Sequence, residues 1–285
     1  MFKDYLSIFK IRIGMLIAFS AVVGYVVAEK GVPSFLRIFL LAILTLMASA
    51  GAGAYNQYYD RDIDAIMKRT GGRPLASGRV RLTHGVAFAG IFLIFLSVIV
   101  AFFTFNYVVS LHLFLGAFVY AVIYTVWLKR RSWINIIIGG LSGSFAVLAG
   151  GAASRPDFCL PPMLLAVVLF FWTPSHFWSF AIVHREDYQK VGIPMLPVIL
   201  GNYKSALLIL FNTLFLFISS LLPFFFGYLG LIYLSVVVII GTFFIIRNIQ
   251  LFFNPSKDIA YKNFKASMIY LSVLFISVLL DTSLR

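Results

Sequence analysis

Residues 38–64 read IFLLAILTLMASAGAGAYNQYYDRDID. Positions 38–55 carry no charge, and then Asp60, Asp62 and Asp64 fall within five residues. About 20 predominantly apolar residues cross a bilayer as a helix, so the stretch is read as a membrane helix that delivers acids to its end. The first half of that pattern recurs along the chain. Nine apolar runs, at about 11–28, 38–57, 85–105, 107–127, 133–153, 161–183, 203–222, 226–246 and 265–281, predict an all-α polytopic membrane protein. The junctions near Asn106 and at Pro223–Gly227 are the shortest.

Composition agrees. The 285 residues are 61% hydrophobic and 12% charged, about half the charged share of a soluble globular domain. No polar linker divides the chain, so residues 1–285 are read as one integral, multi-pass membrane domain. The net charge of +13 is read as basic loops facing an anionic leaflet, not as a nucleic-acid footprint. With the N-terminus inside, Lys and Arg divide 19 to 4 in favour of the cytoplasmic side, which predicts a cytoplasmic N-terminus. Residues 1–12, MFKDYLSIFKIR, read as a short interfacial helix. The single cysteine, Cys159, excludes an intrachain disulfide and a cysteine-based metal cluster. No cleavable signal or transit peptide is expected.

Five of the ten acidic residues lie in two loops on that predicted cytoplasmic side: Asp60, Asp62 and Asp64 in one, Glu186 and Asp187 in the other. Continued as a helix, the first loop puts Asn56, Asp60 and Asp64 at i, i+4 and i+8, on one face. An all-oxygen set suits Mg²⁺ rather than Zn²⁺. Lys68, Arg69 and Arg73 follow, and guanidinium forks match phosphate oxygens. Asp62 points elsewhere and is expected to pair with Arg61 or Arg69. Gly71, Gly72, Pro74 and Gly78 then turn the chain back. The second loop, HREDYQK (184–190), aligns its His184 on Asp60 and its Tyr188 on Asp64 at an offset of 124 residues. This short match suggests two similar halves, roughly 11–127 and 133–246, plus a ninth helix. Glu186 and Asp187 could hold a second Mg²⁺, with Arg185 and Lys190 adding positive charge, so that the two loops clamp a diphosphate.

The segments NQYYDRDIDAIMKRTGGRPL (56–75), YTVWLKRRSWINIIIGG (124–140) and WTPSHFWSFAIVHREDYQKVGIPMLPV (172–198) resemble the UbiA superfamily of intramembrane prenyltransferases, and within it the heme-modifying branch. The resemblance covers nearly the whole chain. It implies nine helices around a central cavity, with the acidic loops capping one end. It also implies Mg²⁺-dependent transfer of farnesyl from farnesyl diphosphate to a vinyl group of heme B, water adding as well. Asp60, Asp64, Asp187 and Tyr124 would then be catalytic. Asn56, Lys68, Arg69, Arg73, Arg185 and Lys190 would meet the diphosphate, and Asn56, Asp60, Asp64, Glu186 and Asp187 the metal. His176, His184, Asn135 and Tyr188 would be candidates for heme contact. A prokaryotic cell membrane and heme-modifying or oxidase-assembly partners follow from the same resemblance. One departure is the run LSGSFAVLAGG (141–151), which lacks the proline pair that this branch carries in its fifth helix.

Plainer readings stand beside these. His176, two residues after Pro174, could be a packing histidine; Asn135 could cap its helix; Tyr120 and Tyr124 could be packing aromatics. Lys129-Arg130-Arg131 reads as a positive-inside anchor. A prenyltransferase with a quinone-ring precursor or archaeal lipid alcohol as acceptor is the nearest alternative, and segment 172–198 speaks against it. A secondary transporter places its charges near the midplane, whereas here they gather at one end.

Overall fold

The computed structural model describes residues 2–29 and 32–284. Among them, nine helices are long and apolar enough to cross a membrane. These are α2 (Ile11–Ala28), α3 (Phe35–Tyr59), α5 (Thr83–Thr104), α6 (Tyr107–Phe118) with its π-helical continuation Val119–Leu128, α7 (Asn135–Ser154), α8 (Leu160–Val183), α10 (Leu196–Phe225), α11 (Leu231–Phe253) and α12 (Lys257–Ser283). Three short helices, α1 (Phe2–Ile8), α4 (Arg61–Ile66) and α9 (Arg185–Lys190), lie at their ends. The expected spans coincide with these helices. The largest difference is that α10 and α12 begin several residues before the runs at 203 and 265. α12 extends past its apolar run through the polar stretch KDIAYKNF (257–264), which hydropathy does not find, whereas α10 takes in the apolar segment 196–200 that Gly201 and Asn202 separate from the run at 203. α10 also bends at Gly201, whose φ of 78° is open to glycine and costly for other residues.

The outer surface is built for lipid. α5 exposes Phe88, Phe92, Phe95, Ile99, Phe102 and Phe103, a contiguous apolar face that water would not tolerate. Several of the closest helix–helix contacts use small residues and hydroxyls, as expected where lipid removes the hydrophobic drive for association. A Cβ placed on Gly24 would run into the Val147 backbone, and one on Gly150 into the Ala21 carbonyl, so α2 and α7 touch backbone to backbone. Ser97 Oγ donates to Leu44 O at 2.7 Å and Ser144 Oγ to Ala166 O at 2.8 Å, each joining two helices. α7 runs without a break where the proline pair was expected.

Two short junctions have local explanations. Asn106 caps α6, accepting from the backbone N–H of Val108 at 2.9 Å and of Val109 at 3.0 Å. At the opposite end of the molecule from the acidic loops, Asp281 accepts from Gly230 N at 2.6 Å and Tyr233 N at 3.2 Å. It thereby stabilises the positive start of α11.

The two acidic loops are held against each other by an apolar cluster. Ile63 and Met67 from the first pack with Trp178, Ile182, Tyr188, Ile193, Met195 and Leu196 around the second.

Candidate functional site

α3 ends at Tyr59, and Asp60 takes a near-helical conformation (φ −87°, ψ 2°) before α4 resumes. Backbone bonds from Asp60 N to Asn56 O (3.0 Å) and from Asp64 N to Asp60 O (2.8 Å) preserve the i, i+4 spacing. The three side chains are therefore brought together as the spacing predicts. All three are buried: Asn56 is 3%, Asp60 0% and Asp64 2% exposed.

A carboxylate buried this deeply needs cations. Asp60 Oδ2 accepts from Lys129 Nζ at 2.5 Å and from Asn56 Nδ2 at 2.7 Å, and Arg130 stands 3.7 Å from Oδ1. Asp64 Oδ2 accepts from Arg73 Nη1 at 2.5 Å. Asp62, exposed at the rim, takes both arms of Arg130 at 2.7 and 2.8 Å; Arg130 therefore replaces Arg61 and Arg69 as its partner. Arg130 beside it holds the Asp62 carboxyl below its ordinary value. The reading of Lys129-Arg130-Arg131 as a simple membrane anchor is corrected here. Lys129 and Arg130 neutralise the first acidic loop, and only Arg131 is an exposed anchor.

Lys10 is a third cation whose role sequence reasoning missed. It lies at the start of α2 with φ 50°, and its Nζ donates to Asn56 Oδ1 at 2.8 Å and to Tyr120 Oη at 3.1 Å. Burial, reinforced by Arg73 and Lys129, pushes its ammonium down to about 7. The sequence signal was the basic position inside MFKDYLSIFKIR, which membrane anchoring also explains. Tyr120 reaches the same Asn56 at 3.4 Å. Thr125 Oγ1 accepts from Asn56 Nδ2 at 3.0 Å. Tyr120 and Thr125 are five residues apart, a spacing that lies on different faces of an α-helix and on one face of a π-helix. The local π geometry, frequent at functional sites, thus aims both at Asn56. Tyr124 stacks on Tyr120 with centroids 5.6 Å apart and packs on Gly139, where a Cβ would sit 2.8 Å from its ring.

The second loop does not mirror the first. α9 begins directly after His184, so residues 185–187 form its first turn, with Glu186 exposed and Arg185 and Asp187 half-buried. Glu186 pairs with Lys257 at 2.8 Å, both well exposed. Asp187 touches the first loop through its Oδ2, which accepts from Arg69 N at 3.4 Å. Arg69 lies over the Phe180 ring at 5.1 Å, and Lys68 and Lys190 are exposed. Arg185 has a buried Nε without a partner. Tyr188 is buried between the loops, and burial pushes its hydroxyl up while Arg69 and Arg73 oppose the shift. Asn135, also buried, donates to Ser132 O at 2.7 Å and fastens the turn that carries Lys129 and Arg130; its Oδ1 has no partner.

Along α8 runs an aromatic ladder. His176 is stacked on Trp172 at 4.3 Å and tilted against Phe264 of α12 at 4.5 Å. Phe180 packs on Phe264 at 4.9 Å and on His184 at 4.4 Å. His176 Nδ1 lies 2.7 Å from Ser267 Oγ, whose own proton goes to Phe264 O at 2.6 Å. The hydroxyl is thereby an acceptor toward the ring. The Nδ1–H tautomer is assigned, and the lone pair is left on Nε2.

The donor chemistry fits a hard divalent cation at Asp60 and Asp64. Asp60 Oδ1 is buried with no hydrogen-bond partner. No three His, Cys, Asp or Glu side chains among the described residues form a ready-made cage. That is the arrangement of Mg²⁺ sites that use one or two carboxylates and leave the rest of the shell to water and substrate phosphates. Glu186 is instead paired with Lys257, and the amide oxygen of Asn56 accepts from Lys10.

A bundle with nine membrane-length helices among the described residues, and with acid–cation pairs gathered at one end, defines a class. Residues 17–278 match the UbiA prenyltransferase family, and the chain belongs to that family. Among its relatives, "Protoheme IX farnesyltransferase 1" of Paramagnetospirillum magneticum is 48% identical over 98% of both chains. The Cenarchaeum symbiosum protein of the same name is 42% identical over 83% of this chain and 79% of its own. In fold, the chain is similar to a digeranylgeranylglyceryl phosphate synthase (TM-score 0.83, 21% identity, 100% and 99% of the two chains covered). It is also similar to a UbiA homolog of Archaeoglobus fulgidus bound to DMAPP and Mg²⁺ (TM-score 0.71, 17% identity, 96% and 99% covered).

Proposed function

We propose that the chain transfers the farnesyl group of farnesyl diphosphate to a vinyl group of heme B, with addition of water, to give heme O. The observation that carries this reading is the 48% identity, over 98% of both chains, to a curated protoheme IX farnesyltransferase. The membrane is that of a prokaryotic cell, with the N-terminus and both acidic loops on the cytoplasmic side. The product passes to heme-modifying or oxidase-assembly proteins.

Asp60 and Asp64 would hold Mg²⁺, whose charge would offset that of the departing diphosphate. Lys10, Lys129, Arg73 and Arg69 donate to phosphate oxygens. Three of them now rest on Asn56, Asp60 and Asp64. An arriving diphosphate competes for these cations and frees the carboxylates for metal. Donors fixed where charge develops favour ionisation of the allylic C–O bond. The faces of Tyr120 and Tyr124 stabilise the allylic cation, and the surrounding apolar walls keep water from it until the vinyl carbon has attacked. Asp187 and Tyr188 steady Arg69 and the loop contact. Arg185 and Asn135 each keep a buried polar atom unpaired, Nε and Oδ1, and are available to heme propionates or phosphate. On the acceptor side, His176 faces heme iron through Nε2, with Trp172 and Phe264 fixing its ring and His184 beyond Phe180.

The purified protein is incubated with Mg²⁺, farnesyl diphosphate and heme B, and extracted heme is weighed by mass spectrometry. A farnesyl-plus-water adduct is expected. If heme gains no mass while a quinone-ring precursor or a lipid alcohol is prenylated, the acceptor assignment fails. His176→Ala is expected to shift the Soret band of added heme and to regain it with imidazole; an unchanged spectrum removes His176 from the heme site.

A further inference from the structure

Away from the acidic loops' own cations, three more converge between α11 and α12. A cavity of about 230 Å³ is lined by Phe243, Arg247, Lys262, Lys265, Ala266 and Ile269. It is an open groove on the surface of the bundle, and its three cations suit a small anionic group. Its place in the membrane follows from the helices. α12 starts on the acidic-loop side, since Lys257 at its first turn binds Glu186 of α9. Arg247 lies six residues before the end of α11, and Lys262 and Lys265 five and eight residues into α12. At 1.5 Å per residue the three charges sit about 7–12 Å below the helix ends, near the boundary of headgroups and acyl chains. Phe243 and Ile269, both exposed, make its apolar side.

The charge state of this cluster differs from the site. There, Arg73, Lys129 and Arg130 each lean on an aspartate. Here Arg247 spends one donor on Gln250 at 2.6 Å, and Lys265 lies over its own Tyr261 ring at 4.5 Å. No carboxylate among the described residues pairs with Arg247, Lys262 or Lys265, and none lines the cavity. Charges held below the membrane surface are costly unless something of opposite sign meets them. From these observations we infer that the α11–α12 cavity binds the phosphodiester headgroup of an anionic phospholipid from the leaflet on the acidic-loop side. The acyl chains then run down past Phe243 and Ile269. Basic pockets between helices recognise such headgroups with about fivefold in affinity for each Lys or Arg near the surface.

The test is independent of activity. The full-length protein in neutral detergent is titrated with phosphatidylglycerol and, separately, with phosphatidylcholine, and bound lipid is counted by native mass spectrometry. Wild type is expected to prefer phosphatidylglycerol. R247Q/K262Q/K265Q is expected to lose about a hundredfold of that affinity. R81Q/R131Q/K204Q, which removes the same charge from exposed positions elsewhere, is expected to stay within twofold. Lys262→Gln alone, at the exposed rim, is expected to lose about fivefold with an unchanged melting temperature, and guards against a fold defect in the triple variant. Equal loss in both triple variants, no loss in the cavity variant, or displacement of the lipid by millimolar inorganic phosphate would each overturn the assignment.

Discussion

The two acidic loops align at 124 residues' distance, yet they stand in different physical states. In the first, Asp60 and Asp64 are buried and meet Lys129 and Arg73, with Asn56 and Lys10 behind them. In the second, Glu186 is exposed on Lys257, and His184 and Tyr188 replace the two aspartates. Carboxylates in a low-dielectric setting persist only with cations at contact, so the first loop is a preorganised electrostatic site. The second loop is joined to it through Arg69, which meets Asp187 and covers Phe180. The pair therefore divides the work: one loop manages charge, and the other connects that charge to the aromatic ladder on α8.

Substitutions that treat the loops as equals should break on this difference. The largest effect is expected from Asp60→Asn, at least about a thousandfold in turnover, because it removes the negative charge that Lys129 meets and turns one carboxylate oxygen into an amide donor. A loss under tenfold in a steady-state prenyl-transfer assay would mean that charge is not concentrated there. Lys129→Met follows at about a hundredfold. Combined with Asp60→Asn, it should cost little more than Asp60→Asn alone, as coupled neighbours do; simple additivity in that double-mutant cycle would deny the coupling. Lys10→Met is expected to lower kcat/KM for farnesyl diphosphate about tenfold, with Lys10→Arg recovering most of it. If both behave as wild type, Lys10 is an anchor after all. Glu186→Gln should change turnover less than about threefold, since an exposed ion pair contributes little; a large loss would restore it as a metal ligand. The smallest effect concerns Asp62, whose folded value lies below its ordinary 3.8. Its contribution to stability is complete above that ordinary value and disappears as pH falls through the lower folded one. Thermal melts against pH should lose a slight acid-side dependence in Asp62→Asn, and identical profiles would show that Arg130 gains nothing from the contact.

The sequence by itself determined the nine helices, the end of the molecule that holds the charge, and the Asn56-Asp60-Asp64 face. Apolar run length and i, i+4 spacing are local quantities, and a membrane enforces both. Tertiary structure alone decided which cations serve which acids. Lys10, Lys129 and Arg130 sat in basic runs with a sufficient local explanation, and nothing in their spacing revealed partners 46, 69 and 68 residues away. Two features brought them there. The π-helical turn puts Tyr120 and Thr125 on one face with Lys129 at its end, and the glycine contacts of α2 with α7 fix the helix that Lys10 begins. The tautomer of His176 is likewise set by a serine 91 residues on. Charge partners in a helical bundle are chosen by which faces meet, and that is a property of packing, not of any stretch of chain.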